Sequence, residues 1–591
     1  MPIKEKDITI IDFLRLFKKI VEEKEKAGIR AIQNNPKDLF RRAQNYGTRY
    51  KNNSWGWSSN IWSRSAAGSV VVEREEDLLA EHKQLMLRTL EHILCRPIIQ
   101  VDTNLGQPDS AAQMRCRLYC DPQFPDIAYR WRELSFPGSP QLEPEATLFF
   151  IPHYLENPNV PHTDEMLKVI RFPNHGYSLV IVSSYQGECK KGFLSHWIYH
   201  VFKKGGTGEH ASLKEFTVKT KEGKKKKIAM STWGLTGSGK STHGLYIVDR
   251  RLADIYKKKF GVDPLEFISK QVVKNDDIVG VFPEVVTGPE RGAWTKTEGV
   301  DENQIAIYKA AISPHALHEN TEWDKNGNVS FKGELLQYHG NLNQNARTVL
   351  RLSDTGYFDG NVNSTIPLNM AVFISPGYLT DYAWLKLEDP LFAAKVLADG
   401  RTTGHPAQAR KGVGEEKYVS RYCLPFTMGV GNAEHVKRFY GFLKNRKNTD
   451  KPIDVYQLNT TGRIGTEYEW VEIERGGAKT RVAKAKFQEV NGKKKAVGGT
   501  GPAIEETELF LFQAARGAVE YEPHPIWGKK VLVPVKVEGI SPERLKEFNP
   551  FTYRPKEEME RLLKSQIQTS KFFLNKQCPG LPEEIYKAMD F

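Results

Sequence analysis

Apolar and polar positions alternate along this chain in two periods. Near the start, "MPIKEKDITIIDFLRLFKKIVEEKEKAG" sets charged residues between apolar ones at helical spacing, which predicts an amphipathic helix. From there to about residue 220, short apolar runs are separated by Pro and Gly turns. The runs "GSVVVE", "RPIIQVD", "ATLFFIPHYL" and "YSLVIVSSYQG" predict several strands of an α/β or α+β unit. A second series opens with the strand-like "KIAMSTWG", passes a glycine-rich loop and continues at helical period through "STHGLYIVDRRLADIYKKKFG". Beyond Ile278, strand and turn segments alternate again, among them "TVLRLSD" and "NMAVFIS". Residues 469–503, punctuated by Gly and Lys, read as an insertion, and "RPKEEMERLLKSQIQTSKFFLNK" predicts a terminal helix with an acidic first turn. The lysine-rich residues 219–227 read as a boundary or as a hairpin turn. Taken as a boundary, they divide the chain into domains 1–222 and 223–591. No internal repeat or low-complexity tract interrupts the pattern.

Composition narrows the class. A chain of 591 residues accommodates two to four domains, and 39% hydrophobic with 11% aromatic content fits a soluble globular enzyme rather than a disordered chain. The longest apolar runs fall well short of the roughly 18 residues a membrane helix needs. No uncharged core or small-residue cleavage site follows the first helix, so a cytoplasmic location is expected. The six cysteines are scattered without a CxxC, which argues against zinc sites and against a disulfide framework. Cys116 and Cys120 read as packed thiols. Much of the net charge of +13 comes from two Lys/Gly runs, "KTKEGKKKKIAM" and "NGKKKAVGG", which lack the interleaved aromatics of a nucleic-acid platform. Small anionic substrates account for such a field better than nucleic acid does.

The most specific chemical signal is "GLTGSGKST" (Gly234, Leu235, Thr236, Gly237, Ser238, Gly239, Lys240, Ser241, Thr242), a full GxxxxGK[ST] phosphate loop. Its glycines let backbone N–H groups face an anion, and the helix after it adds a positive dipole end. Lys240 reaches the outer phosphates, and the Ser241 hydroxyl is placed for Mg²⁺. Downstream, "KQVVKNDDIVGVF" offers Asp276 and Asp277 after an apolar pair, as metal-holding carboxylates or as an ordinary capping turn.

With their flanks, these motifs resemble the phosphoenolpyruvate carboxykinase family, and more the ATP-using branch. "SSYQGECKKG" is similar to that family's WYGGEMKKG, and "VDTNLGQPDSAAQMRCRL" to its VDAFCGANPDTRLSVRF. The series "WTKTEGVDENQIAIYKAA", "ENTEWDKNGNVSF" and "QNARTVLRL" follows the family's order, and "NTTGRIG" with "IEETELFL" echoes its C-terminal nucleotide contacts. The resemblance spans roughly residues 60–580. It implies a mixed α/β, two-domain fold with a phosphate loop in the C-terminal domain. It implies ATP, Mg²⁺ and Mn²⁺ as cofactors, and oxaloacetate, phosphoenolpyruvate and CO₂ as small-molecule partners of a monomer or small homo-oligomer. It puts Arg64, Tyr185, Lys191, Lys240 and Arg347 in catalytic roles, Arg463 and Thr507 on the nucleotide, and Lys191, His210, Ser241, Asp276 and Asp277 on metals. A lysine ligates only as the neutral amine, and Lys190 is a cationic neighbour that would favour this form of Lys191. An enolate intermediate also calls for a lid, for which Gly400–Glu416 is the compositional candidate.

The chain departs from the family in four places, one of them an insertion between Arg463 and Thr507. "WSRSAAGSVVV" keeps Arg64 and Ser65 but loses the family's PKDK, and "GEHASLK" offers His210 and little else of the metal motif. The 36 residues from Lys240 to Asp276 leave room for an extra helix. These departures leave open a phosphotransferase on another acceptor, a nucleic-acid-stimulated ATPase, and a protein that only binds nucleotide.

Overall fold

A computed structural model describes residues 8–32, 35–59, 69–153, 168–235, 238–332, 346–375, 377, 379–403, 416–418, 421, 426–475, 478–490 and 493–591. The first amphipathic pattern forms α1 (Ile10–Lys26), capped by the Thr9 hydroxyl, which accepts from the Asp12 N–H. Its apolar stripe of Ile10, Phe13, Phe17 and Val21 is buried, and Phe17 meets Phe149 edge-on at 4.3 Å between centroids.

That stripe covers a mixed sheet built from β1 (Arg30–Ile32), β2 (Ser69–Val71), β3 (Ile98–Leu105), β4 (Met114–Cys120), β5 (Ala146–Ile151), β6 (Lys168–Phe172) and β7 (Tyr177–Ile181). Their order is β1-β3-β4-β5-β7-β6-β2, with β4, β5 and β7 mutually parallel. Helix α2 (Ala80–Cys95) precedes β3, α3 (Pro125–Leu134) follows β4, and α4 (Gln186–Lys203) follows β7. Every residue of β5 is buried, as expected of a parallel strand covered on both faces. Trp131 of α3 stacks on Phe193 of α4 at 4.4 Å, fixing the two helices against each other.

The second half opens with β8 (Ala211–Lys219) and β9 (Lys225–Trp233), which pair from Ala211↔Trp233 to Lys219↔Lys225. The residue 222/223 division therefore falls at a hairpin tip inside one sheet, because both strands are buried over most of their length and share the same cores. The glycine loop and α5 (Lys240–Gly244) follow, then α6 (Arg250–Phe260) and β10 (Ile268–Asn275). Next come β11 (Gly292–Lys296), β12 (Arg347–Arg351), β13 (Met370–Ser375), β14 (Trp384–Leu387), β15 (Asp454–Asn459) and α7 (Ile504–Ala515). After them come β16 (Val519–His524), β17 (Gly528–Val537) and α8 (Lys556–Gln577), the expected terminal helix. The large sheet runs β10-β8-β9-β13-β15-β14-β17-β16. Its β9, β13 and β15 are parallel, so their carboxyl ends open on one edge. Within residues 469–503 the described part forms two hairpins, Tyr468–Arg475 with Ala478–Ala485 and Phe487–Val490 with Lys493–Ala496.

The helix expected after the glycine loop is broken. α5 is a single turn, residues 245–249 are not helical, and the chain resumes as α6. The sequence "LYIV" explains the break: Leu245 and Ile247 pack into one hydrophobic cluster while Tyr246 and Val248 pack into another. This period of two suits an extended segment. The Gln271 amide completes it, donating to the Val248 carbonyl at 2.8 Å and accepting from its N–H at 2.9 Å. α6 is the extra helix between Lys240 and Asp276.

Candidate active site

The glycine loop leaves the carboxyl end of β9, and Gly239 adopts φ +93°, which only glycine takes at low cost. A side chain at Gly234 would come within 2.4 Å of the Ser238 hydroxyl, so the turn also needs glycine there. Ser238 closes the turn by donating its hydroxyl to the Leu235 carbonyl at 2.8 Å, and its own carbonyl accepts from Thr460, just past β15, at 2.8 Å. Thr236 and Gly237 lie outside the described residues. Lys240 points back under the loop, its Nζ donating to the Asp276 carbonyl at 2.7 Å.

Asp276 and Asp277 occupy the turn after β10. The β8–β10 pairing sets Leu213 opposite Asn275, and a small sheet pairs Glu209 with Val279, so His210 is carried beside Asp277 by register alone. Ser241 and Thr295 both donate to Asp276 Oδ2, at 3.1 and 3.0 Å, while its Oδ1 is buried without a hydrogen bond. Asp277 is the centre of a denser cluster. Lys191 donates to its Oδ2, Lys190 lies 2.9 Å from the same oxygen, and Oδ1 meets His210 Nε2 at 3.1 Å and Lys240 Nζ at 3.4 Å.

Burial and charge set the protonation of this cluster. Burial alone would raise the Asp277 carboxyl, but Lys190, Lys191 and Lys240 outweigh it and hold Asp277 well below the usual carboxylate range. Burial opposes the charge of Lys190 too, yet Asp277 and Glu290, the latter 3.0 Å away, keep it cationic. His210 is pushed down to about 3, chiefly by burial and then by the nearby lysines, so its ring is neutral.

Lys190 and Lys191 are early in α4, whose start is fixed from both sides. Val182, just past β7, takes φ +80°, a strained conformation for a β-branched residue that turns the chain toward Tyr185. Glu319 accepts the Gln186 N–H at 2.9 Å and is itself paired with buried Arg130 at 2.8 Å. Trp294 of β11 gathers the remaining groups: Tyr185 meets it edge-on at 5.5 Å, Arg347 lies 4.9 Å over its ring and Lys190 lies 5.6 Å away. Phe426 closes the other side, 4.4 Å from Lys191 Nζ and 5.0 Å from the His210 ring.

The family model for phosphoenolpyruvate carboxykinase, of the ATP-dependent type, matches residues 73–368, just over half of the chain. The chain belongs to the ATP-dependent phosphoenolpyruvate carboxykinase family. No curated protein matches it. Carboxykinases of this type act with ATP and divalent metal ions, and the matched region contains every residue of the Asp277 cluster.

Set against the residues the sequence nominated, Tyr185, Lys191, His210, Lys240, Ser241, Asp276 and Asp277 come together, and Arg347 joins them through Trp294. Arg64 and Ser65 lie outside the described residues, as does most of the Gly400–Glu416 segment, whose flanks pair as Arg401–Thr403 with Glu416–Tyr418. Thr242 meets Gln304 at 3.4 Å. Arg463 follows the strand that holds Ser238 and lies 5.2 Å over Phe487 of the second hairpin. Thr507 is buried in α7, its hydroxyl accepting from Trp384 at 3.3 Å. The next residue, Glu508, reaches the loop helix instead, accepting from Lys214 at 3.0 Å and meeting His243 at 2.8 Å. Sequence reasoning missed Glu290, Trp294, Thr295 and Phe426. Only "WTKT" carried a signal, because the block containing Trp294 and Thr295 was recognised as a whole.

Proposed function

We propose that this protein converts oxaloacetate and ATP to phosphoenolpyruvate, CO₂ and ADP, reversibly, by decarboxylation to an enolate and phosphorylation of its oxygen. The observation that carries the reading is the Asp277 cluster: three lysines and a neutral imidazole drawn onto one buried carboxylate, next to a phosphate loop, in a chain of this family.

The side chains fit two divalent ions of different character. Ser241 with Asp276, whose Oδ1 has no partner, offers hard oxygen donors of the kind Mg²⁺ takes. His210, Lys191 and Asp277 offer two nitrogens and a carboxylate oxygen, which suits Mn²⁺ or a similar transition ion. Bound there, such ions would supply electrophilic charge to the phosphates and to the developing enolate oxygen.

The protein's own groups do the rest. Lys240 shifts from the Asp276 carbonyl to the outer phosphates when nucleotide enters the loop. Arg347, held over Trp294, spreads the charge of the transferring phosphoryl group. Tyr185 orients the substrate carboxylate or departing CO₂, and Arg64 forks onto that carboxylate. Lys190 stays cationic between Asp277 and Glu290, so it favours the neutral amine of Lys191. Phe426 and Trp294 wall the cluster from water, which would otherwise protonate the enolate to pyruvate. Arg463 and Thr507 belong to the nucleotide side, and the Gly400–Glu416 segment serves as lid. The enzyme acts on small molecules in the cytoplasm.

Incubation of the protein with oxaloacetate, ATP, Mg²⁺ and Mn²⁺ tests this. The expected result is phosphoenolpyruvate and ADP in equal amounts, lost in Lys240→Ala and in His210→Ala. ATP binding without phosphoenolpyruvate would transfer the loop to another acceptor and refute the proposal.

A further inference from the structure

A second group of metal-type ligands sits at the edge of the first sheet. β4 and β5 are adjacent and parallel, with Cys120 opposite Phe150, so their carboxyl ends open together, the position at which α/β sheets take ligands. Asp121 is the first residue past β4 and His153 the second past β5, while His92 comes from the last turn of α2. His92 Nε2 lies 2.9 Å from Asp121 Oδ2 and His153 Nε2 lies 3.4 Å from the same oxygen. One ligand atom from each of the three residues lies within 4.8 Å of the others. With metal–nitrogen and metal–oxygen bonds of about 2.1 Å, tetrahedral ligand atoms are roughly 3.4 Å apart, so this spacing needs little adjustment.

Three further features point to a cation. Asp121 Oδ1 is occupied by the Gln123 N–H at 2.9 Å, which leaves Oδ2 as the oxygen that faces both imidazoles. His153 Nε2 is buried and makes no hydrogen bond, although it faces that oxygen. The Asp121 side chain is only 2% exposed, and among the described residues no lysine or arginine pairs with it. A buried carboxylate needs a compensating cation. Two imidazoles provide that only when protonated, whereas a divalent ion provides it with both rings neutral. The Cys120 thiol is turned away, donating to the carbonyl of Phe124 at 3.4 Å, so it is not a fourth ligand. The His92 and His153 side chains are 12% and 20% exposed, which leaves room for water to complete the coordination.

We propose that His92, Asp121 and His153 bind a divalent transition-metal ion of the Zn²⁺ class, separate from the Asp277 cluster, that ties the end of α2 to the ends of β4 and β5. Two imidazoles and one carboxylate suit zinc, cobalt or iron rather than Mg²⁺ or Ca²⁺.

The test uses the full chain in a His210→Ala background, which removes the imidazole ligand of the Asp277 cluster, after dialysis against chelator. Titration with Co²⁺ should give about one bound equivalent with visible d–d absorption of nitrogen–oxygen ligation. Replacing His153 by Ala should weaken uptake by more than the roughly 10–100-fold that loss of a mere supporting partner brings. His153→Asp, which keeps a ligand atom, should restore part of it. Should the alanine variant fail to fold, X-ray absorption of the Co²⁺-loaded His210→Ala chain should show two imidazoles. No uptake at micromolar Co²⁺, uptake equal with and without His92 and His153, or absorption without imidazole would each overturn the proposal.

Discussion

Asp277 holds the cluster together, because three buried lysines converge on its single carboxylate. Asp277→Asn keeps the shape and removes the charge, so it should cost about 3–5 kcal/mol of stability, as breaking a buried ion pair does. Denaturant unfolding of the variant measures this, and an unchanged midpoint would mean that the lysines are not charged together. His210→Ala removes a neutral ring from the same cluster and should abolish product formation with a much smaller effect on folding. Asp277 and His210 were legible in the sequence through their place in ordered motifs. Glu290 and Phe426 were not, because each reaches the cluster through tertiary packing that no local spacing records. His92, Asp121 and His153 were hidden for the same reason: neighbouring parallel strands and a distant helix end bring them together.

At the scale of elements, the sequence was read correctly where the period was long and uniform, as in α1 and α8, and incorrectly where it changed within a few residues. The run after Lys240 mixes a helical stripe in "RRLADIYKKKF" with a two-residue alternation in "LYIV", and the tertiary core decided in favour of the break. Gly244 marks the point where it begins. A side chain there would come within 1.9 Å of the Ser212 hydroxyl and 2.5 Å of its Cβ, so Gly244 lets α5 lie against β8. Gly244→Ala should therefore cost about 1–3 kcal/mol through overpacking and weaken ATP binding by displacing the loop. Ser212→Gly in the same chain should recover part of both losses, a non-additivity measurable in a double-mutant cycle. Simple addition of the two single effects would show that the contact is relieved elsewhere. The lysine run near residue 222 is the converse case: charge and glycine signalled a turn, and whether it separated domains depended on strand pairing that composition does not reveal.

For the whole molecule, five buried histidines dominate the acid side of the stability curve. His196, His210, His318, His435 and His524 are each pushed down to about 3, chiefly by burial. The unfolded chain binds protons at these positions from about pH 6.5 downward and the folded chain does not. Stability should thus be level above about pH 6.5 as far as these groups are concerned, and should fall below it by up to roughly 1.4 kcal/mol per pH unit per histidine. Asp277 adds to the loss only below the ordinary carboxylate range. Unfolding midpoints at pH 7.5, 6.5 and 5.5 check the sign, and a rise toward pH 5.5 would contradict it.

Decarboxylation and phosphoryl transfer are proposed to share the Asp277 site. Exchange of labelled CO₂ into oxaloacetate tests it most directly, with and without nucleotide. Incorporation is expected only when nucleotide is present, with none in Lys191→Ala. A protein that binds ATP yet never incorporates label would contradict it.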